Sequence, residues 1–153
     1  MTAAVSITVD DLRQSVGRKI ASSEWLLVSQ ENINAFAEAT GDRQWIHLDC
    51  ERAKRESPYG ETVAHGFLTL SLLSQLLGQA IQINGVRMAV NYGLNRVRFP
   101  SPVLSGSRIR AHFTPVSLKE VENGVEVIFS ATVEAESANK PVCVAYWIIR
   151  YYA

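Results

Sequence analysis

Cysteine is scarce in this 153-residue chain: Cys50 and Cys143 are the only two. They lie far apart and form no CxxC pair, which excludes a disulfide framework and leaves a cysteine zinc cluster without ligands. Both are expected to be reduced thiols. An excess of charge of one sign is also missing. Fifteen Lys and Arg cancel fifteen Asp and Glu, so no net field draws the chain to nucleic acid or to an acidic membrane surface. No segment approaches the roughly 18 uninterrupted apolar residues of a membrane span, and Met1 to Asp10 lacks the basic start and apolar stretch of a secretory signal. Internal repeats, low-complexity stretches and dividing linkers are missing too. The expectation is one domain over residues 1–153, cytoplasmic, with neither nucleic acid nor membrane as partner.

What is present suits a compact core: 47% of the residues are hydrophobic and 20% charged. Lys19 to Val28 has the β-branched and aromatic character of a first strand. Ser29 is placed to cap a helix whose Ile33, Phe36, Ala37 and Thr40 follow the i, i+3, i+4, i+7 spacing of one buried stripe, and Gly41 to end it. Glu51 to Arg55 predicts a short polar helix that breaks at Ser57-Pro58. From Gly66 to Ile81 the apolar residues leave no broad polar face, which predicts a continuous core helix about 24 Å long, covered almost all round.

The second half reads as four strands: Val90 to Phe99, Ser107 to Phe113, Val125 to Ala135 and Val142 to Tyr151. The third alternates cleanly, with Val125, Val127, Phe129, Ala131, Val133 and Ala135 on one side and Glu126, Ser130, Thr132 and Glu134 on the other. Turns are marked by Pro100-Ser101-Pro102 with Gly106, by Asn123-Gly124 and by Asn139-Lys140-Pro141. The fold class is therefore α+β, a long central helix wrapped by a curved antiparallel sheet. An open sheet of this kind has edges, and pairing with a second copy covers one, so a homodimer is expected.

The segment Thr40 to Asp49, TGDRQWIHLD, concentrates acids, bases and a tryptophan where the helical pattern stops. A bend brings the Asp42 carboxylate and the His47 imidazole, five residues apart, toward one point where a single water bridges them. With reference pKa values near 3.9 and 6.5, this is a general acid/base pair at neutral pH. Taken alone, the spacing more often marks a helix-terminal Asp and a surface His. Val63 to Phe67 runs straight into the buried helix, whose first N–H groups need acceptors. Gly66 either leaves its amide open to a substrate carbonyl, as in an oxyanion hole, or simply allows close packing.

Together Ala39 to His47, Ala53, Ala64 to Phe67, Ser71 and Ser74 resemble the signature of the MaoC-like dehydratases, the (R)-specific enoyl-CoA hydratases or hydratase 2 family. The resemblance implies a hot-dog fold and a homodimer with sites near the subunit interface. It implies Asp42 and His47 as catalytic residues, Gly66 as the amide that holds the thioester carbonyl, and Ser74 as a residue shaping the substrate site. The activity implied is reversible syn addition of water to a trans-2-enoyl thioester of coenzyme A or an acyl carrier, with no metal or other cofactor. Where the family usually has Asn-Pro, this chain has Gln44-Trp45, as in a subgroup that includes nodulation N-like proteins. The alternatives are a hot-dog thioesterase and a non-catalytic acyl-thioester-binding module. Three readings stay open beside these. His65 joins Asp42, His47 and Asp49 as a metal set or satisfies backbone groups at the helix start. Arg52, Lys54, Arg55, Arg96 and Arg98 meet coenzyme A phosphates or are solvated. Trp45 lines the pocket or packs under the loop.

Overall fold

The computed structural model describes residues 3–153. Strand β1 (Val5–Ile7) leads to α1 (Val9–Gln14), capped by Thr8 and Asp11 in a reciprocal pair of side-chain and backbone bonds. Neither element was apparent in the sequence, because three and six residues are too few to show a period. The predicted first strand is two short ones, β2 (Ala21–Ser22) and β3 (Leu26–Val28). Helix α2 (Gln30–Thr40) starts at Ser29, whose hydroxyl accepts from Asn32 N–H, and stops at Gly41, left-handed at φ 80°. Then follow α3 (Trp45–Leu48) and α4 (Cys50–Glu56); Asp49 caps the latter by accepting from Arg52 N–H.

The expected continuous core helix is α5 (Gly66–Ser71) and α6 (Leu73–Ala80), joined at Leu72, where ψ flattens to −13°. Backbone bonds from Leu72 N–H to Leu68 O and from Leu76 N–H to Leu72 O carry the helix across the joint. It ends sooner than its apolar run suggests. Ile81 turns extended and opens β4 (Ile81–Ile83), which pairs in parallel with β1, where β-branched residues fit better than in a helix. Nor is the helix covered all round, since Phe67 is 69% exposed.

The remaining strands are β5 (Met88–Arg98), β6 (Ser107–Val121), β7 (Gly124–Ala135) and β8 (Cys143–Tyr152). They form an antiparallel sheet in the order β2-β6-β7-β8-β5, with β3 also on β6. Strand β6 runs on past Phe113 because a bulge after Pro115 absorbs the missing donor. The tight turn between β6 and β7 is Glu122-Asn123, with Asn123 at φ 61°, and Gly124 already pairs with Val121. The six alternating apolar residues of β7 are all buried, meeting Leu73, Leu76, Ile109 and Phe113 in one core. On the opposite face Glu126 is buried as well, held by Arg150 at 2.8 Å and Lys119 at 3.0 Å. The curved antiparallel sheet around a helix is the expected α+β hot-dog arrangement, with β5 as an edge.

Candidate active site

Three segments meet beside the start of α5. Helix α2 ends at Gly41, which turns the chain so that Asp42 begins a new direction; α3 then carries His47, and the stretch before α5 carries His65. The loop is pinned to that stretch by Val63 N–H, which donates to Ile46 O at 3.0 Å. It is also held by Gln30, whose amide donates to His47 O at 2.7 Å and accepts from the Thr62 hydroxyl at 2.7 Å. Thr62 is 1% exposed and Gln30 half-buried, so this polar clasp runs from the surface into the interior.

The result is a gathered set: Asp42, His47 and His65 each place a side-chain donor or acceptor within 4.8 Å of the others. His47 is 6% exposed and His65 3%, whereas Asp42 is open to solvent. His47 Nδ1 lies 2.7 Å from Val63 O and His65 Nε2 lies 2.9 Å from Asp42 O. A carbonyl only accepts, so each of those ring nitrogens must carry the proton. The neutral His47 is thereby left with a bare, basic Nε2. Its titration is pushed below the ordinary histidine value, first by burial and then by repulsion from His65, against the pull of Val63 O and Asp42. A neutral imidazole with an available lone pair is the form a general base needs.

His65 does not serve the helix start, as one sequence reading had it. It is the residue before α5 but makes no side-chain cap; its ring instead stacks on His47, 3.8 Å between centroids at 21°, and touches Phe36 at 4.9 Å. Asp42, His47 and His65 are residue types that can ligate a metal ion, but the stacking is a poor arrangement for one ion held by both imidazoles. Ligand lone pairs lie in the ring planes, and two nearly parallel planes do not meet at a point one bond length from each ring. Asp49 is occupied as the α4 cap and stands outside the cluster.

Gly66 immediately follows His65. Its N–H has no acceptor among the described residues. A β-carbon there would lie 3.0 Å from the Phe99 ring, so close packing and an open amide hold at the same residue. Ser74 sits two turns further on, away from the acid/base group. It lines a cavity of about 450 Å³ with Leu77, Ile81, Met88, Asn91 and Trp147. Trp45 is half-buried, with the Arg52 guanidinium 4.2 Å from its ring centre. Arg52 and Lys54 are paired with Glu56 and Glu51. Gln30, Thr62 and the stacking of His65 were not legible in the sequence, because each acts through a contact between segments distant along the chain.

The MaoC like domain profile matches residues 11–137. The chain belongs to the MaoC-like family. It is 50% identical over 147 residues to 3-hydroxyacyl-thioester dehydratase Z of Mycobacterium tuberculosis, covering 95% of this chain and 97% of that protein. It is 44% identical over 147 residues to nodulation protein N of Rhizobium leguminosarum bv. viciae, covering 93% and 89%; this likeness accords with the subgroup indicated by Gln44-Trp45. Among solved structures, R-hydratase PhaJ1 from Pseudomonas aeruginosa superposes with a TM-score of 0.71 at 24% identity, covering 90% of this chain and 81% of that one, which supports the MaoC-like hot-dog fold. No helix among the described residues is long and apolar enough to cross a membrane.

Proposed function

We propose that this MaoC-like chain is an (R)-specific enoyl-thioester hydratase working reversibly as a 3-hydroxyacyl-thioester dehydratase, a hydro-lyase acting on coenzyme A or acyl-carrier thioesters. The observation that carries the reading is the fixed tautomer of His47, which leaves Nε2 bare and basic in a cluster with the Asp42 carboxylate and His65, the residue that directly precedes the uncommitted Gly66 N–H. The 3-hydroxyacyl-thioester dehydratase name of a relative half identical over nearly its whole length supports the same chemistry.

In the hydration direction, Asp42 and His47 hold one water over C3 of the enoyl thioester. Its hydroxyl bonds to C3, the C2–C3 π pair moves onto the thioester as an enolate, and C2 takes a proton on the same face. The water's other hydrogen passes through the Asp42 and His47 pair to supply it. Gly66 N–H stabilises the enolate oxygen as charge develops there. Every step uses protein groups and water, so the reading requires no metal or other cofactor. The cavity at Ser74 takes the acyl chain. Separated, unpaired Cys50 and Cys143 suit the reducing cytoplasm.

A homodimer belongs to this reading. Strand β5 is an edge, and Met88, Val90, Tyr92 and Leu94 on it, with Phe67 nearby on α5, are exposed apolar residues that a second copy would cover.

The test is hydration of crotonyl-CoA, followed as loss of enoyl absorbance, with Asp42→Asn and His47→Gln each expected to lower the rate about a hundredfold or more. A thiol reagent in the same assay separates a thioesterase, which releases free thiol. Full activity in both variants would overturn the assignment.

A further inference from the structure

We propose that the outer face of the sheet carries an anion site, built from Arg96, Arg98, Ser130, Thr132 and Tyr146, that binds a phosphate ester. These residues surround a depression of about 290 Å³ with Val144 and Ala145 at its floor. The site is set by strand register. Arg96 lies opposite Tyr146 and Tyr146 opposite Ser130; Arg98 lies opposite Val144 and Val144 opposite Thr132. Strands β5, β8 and β7 thus give two neighbouring rows, each with a guanidinium at one end and a hydroxyl at the other. The Tyr146 phenol stands between Arg96 and Ser130.

The donors are uncommitted. Among the described residues neither arginine is paired with a carboxylate, and none of the three hydroxyls has a hydrogen-bond partner. Arg98 spends one N–H on the carbonyl of Val97 at 2.7 Å and keeps the rest. Elsewhere on this face arginines are matched: Arg108 to Glu136, Arg110 to Glu134 and Arg150 to Glu126. Glu134, two residues beyond Thr132, is held by both Arg110 and His112, at 2.7 and 2.8 Å, so its charge is already answered. Two adjacent like charges without a counter-ion repel each other, and a forked guanidinium pair ringed by hydroxyls matches the oxygens of a phosphate.

The position also bears on the reaction. Arg98 is followed by Phe99, whose ring lies against Gly66. The anion site is therefore at the end of β5, next to the residue whose ring packs on Gly66. One source of the phosphate is the carrier part of the thioester substrate; the other is a free phosphate or diphosphate. The first source rests on the thioester reading, and the anion site itself does not.

The experiment is calorimetric titration of wild type and of the Arg96→Gln, Arg98→Gln double variant with two probes, coenzyme A and inorganic pyrophosphate, beside crotonyl-thioester kinetics. Loss of two charge-assisted contacts is expected to weaken binding about tenfold or more. If affinity for both probes falls, KM for crotonyl-CoA rises by a similar factor, and kcat and the kinetics on the phosphate-free crotonyl-N-acetylcysteamine thioester stay unchanged, the carrier phosphate is the ligand. If only pyrophosphate binding falls, the site takes a free phosphate. Equal affinity of wild type and variant for both probes overturns the proposal. Absent hydration by a wild type that still binds the probes through these arginines would count against the hydratase reading alone.

Discussion

The His65 ring lies 3.8 Å from the His47 ring, nearly parallel to it, while its Nε2–H holds the carbonyl of Asp42. One side chain thus touches both members of the proposed acid/base pair, fixing the plane of the His47 ring and the backbone that bears Asp42. His65→Asn is expected to lower kcat about tenfold by loosening that geometry. It also removes a repulsion that helps keep His47 neutral, so the acid limb of kcat/KM should move up toward the ordinary histidine value; a limb that stays in place would deny His65 this influence.

Burial of His47 has a consequence for stability. Its folded-state pKa is depressed, first by burial, below the unfolded value near 6.5. Between those two values the unfolded chain binds a proton that the folded chain refuses. Folding stability is therefore full above about pH 6.5, declines as the pH falls through the folded-state value, and is flat below it as far as this residue is concerned. Urea unfolding midpoints at a series of pH values, with His47→Gln as the reference, read this directly; the variant should lose that part of the slope.

Gly66→Ala isolates the amide from the fold. The added β-carbon meets the Phe99 ring at 3.0 Å, and displacing that half-exposed ring should cost about 1 kcal/mol of stability. Activity should fall further, about a hundredfold, if the methyl or the displaced ring blocks the thioester oxygen from the N–H. Adding Phe99→Ala relieves the contact with the ring. Restored stability without restored activity would place the defect at the amide itself.

Gln30→Ala should cost about 1–2 kcal/mol, because the buried Thr62 hydroxyl loses its acceptor and His47 O its donor. A drop in kcat with KM little changed is the expected signature of a loop that no longer holds its base in place. Loss of stability with unaltered kcat would make the clasp purely structural.

Leu94→Lys with Tyr92→Lys places charges on the exposed apolar edge of β5. Sedimentation should show wild type as a dimer and the double variant as a monomer at micromolar concentration. An unchanged mass in the variant would move the interface elsewhere.

Much of this was readable from local pattern. The alternation in β7 placed Val125, Val127, Phe129, Ala131, Val133 and Ala135 on the buried face, Ser29 and Gly41 bracketed α2, and the composition of Thr40 to Asp49 marked the loop that carries Asp42 and His47. The misses have one physical origin. Ile81 leaves the helix because β1, some 75 residues earlier, offers it a strand partner. His65 abandons the helix start because α3 folds back to present a ring to stack upon. Glu126 is covered on the outer face because Arg150 and Lys119 meet it from neighbouring strands. Each choice is made by a partner far away in sequence, which local periodicity does not encode.

The two thiols are unequal in a way that makes the molecule easy to instrument. Cys143 is fully buried and its thiol is pushed up to about 11, while Cys50 is exposed, three residues past His47, with its sulfur 3.9 Å from the Gln30 amide oxygen. A maleimide dye will therefore attach at one address per chain, on the first residue of α4 beside the proposed catalytic loop, and its anisotropy will track how firmly that loop is held as a thioester is added.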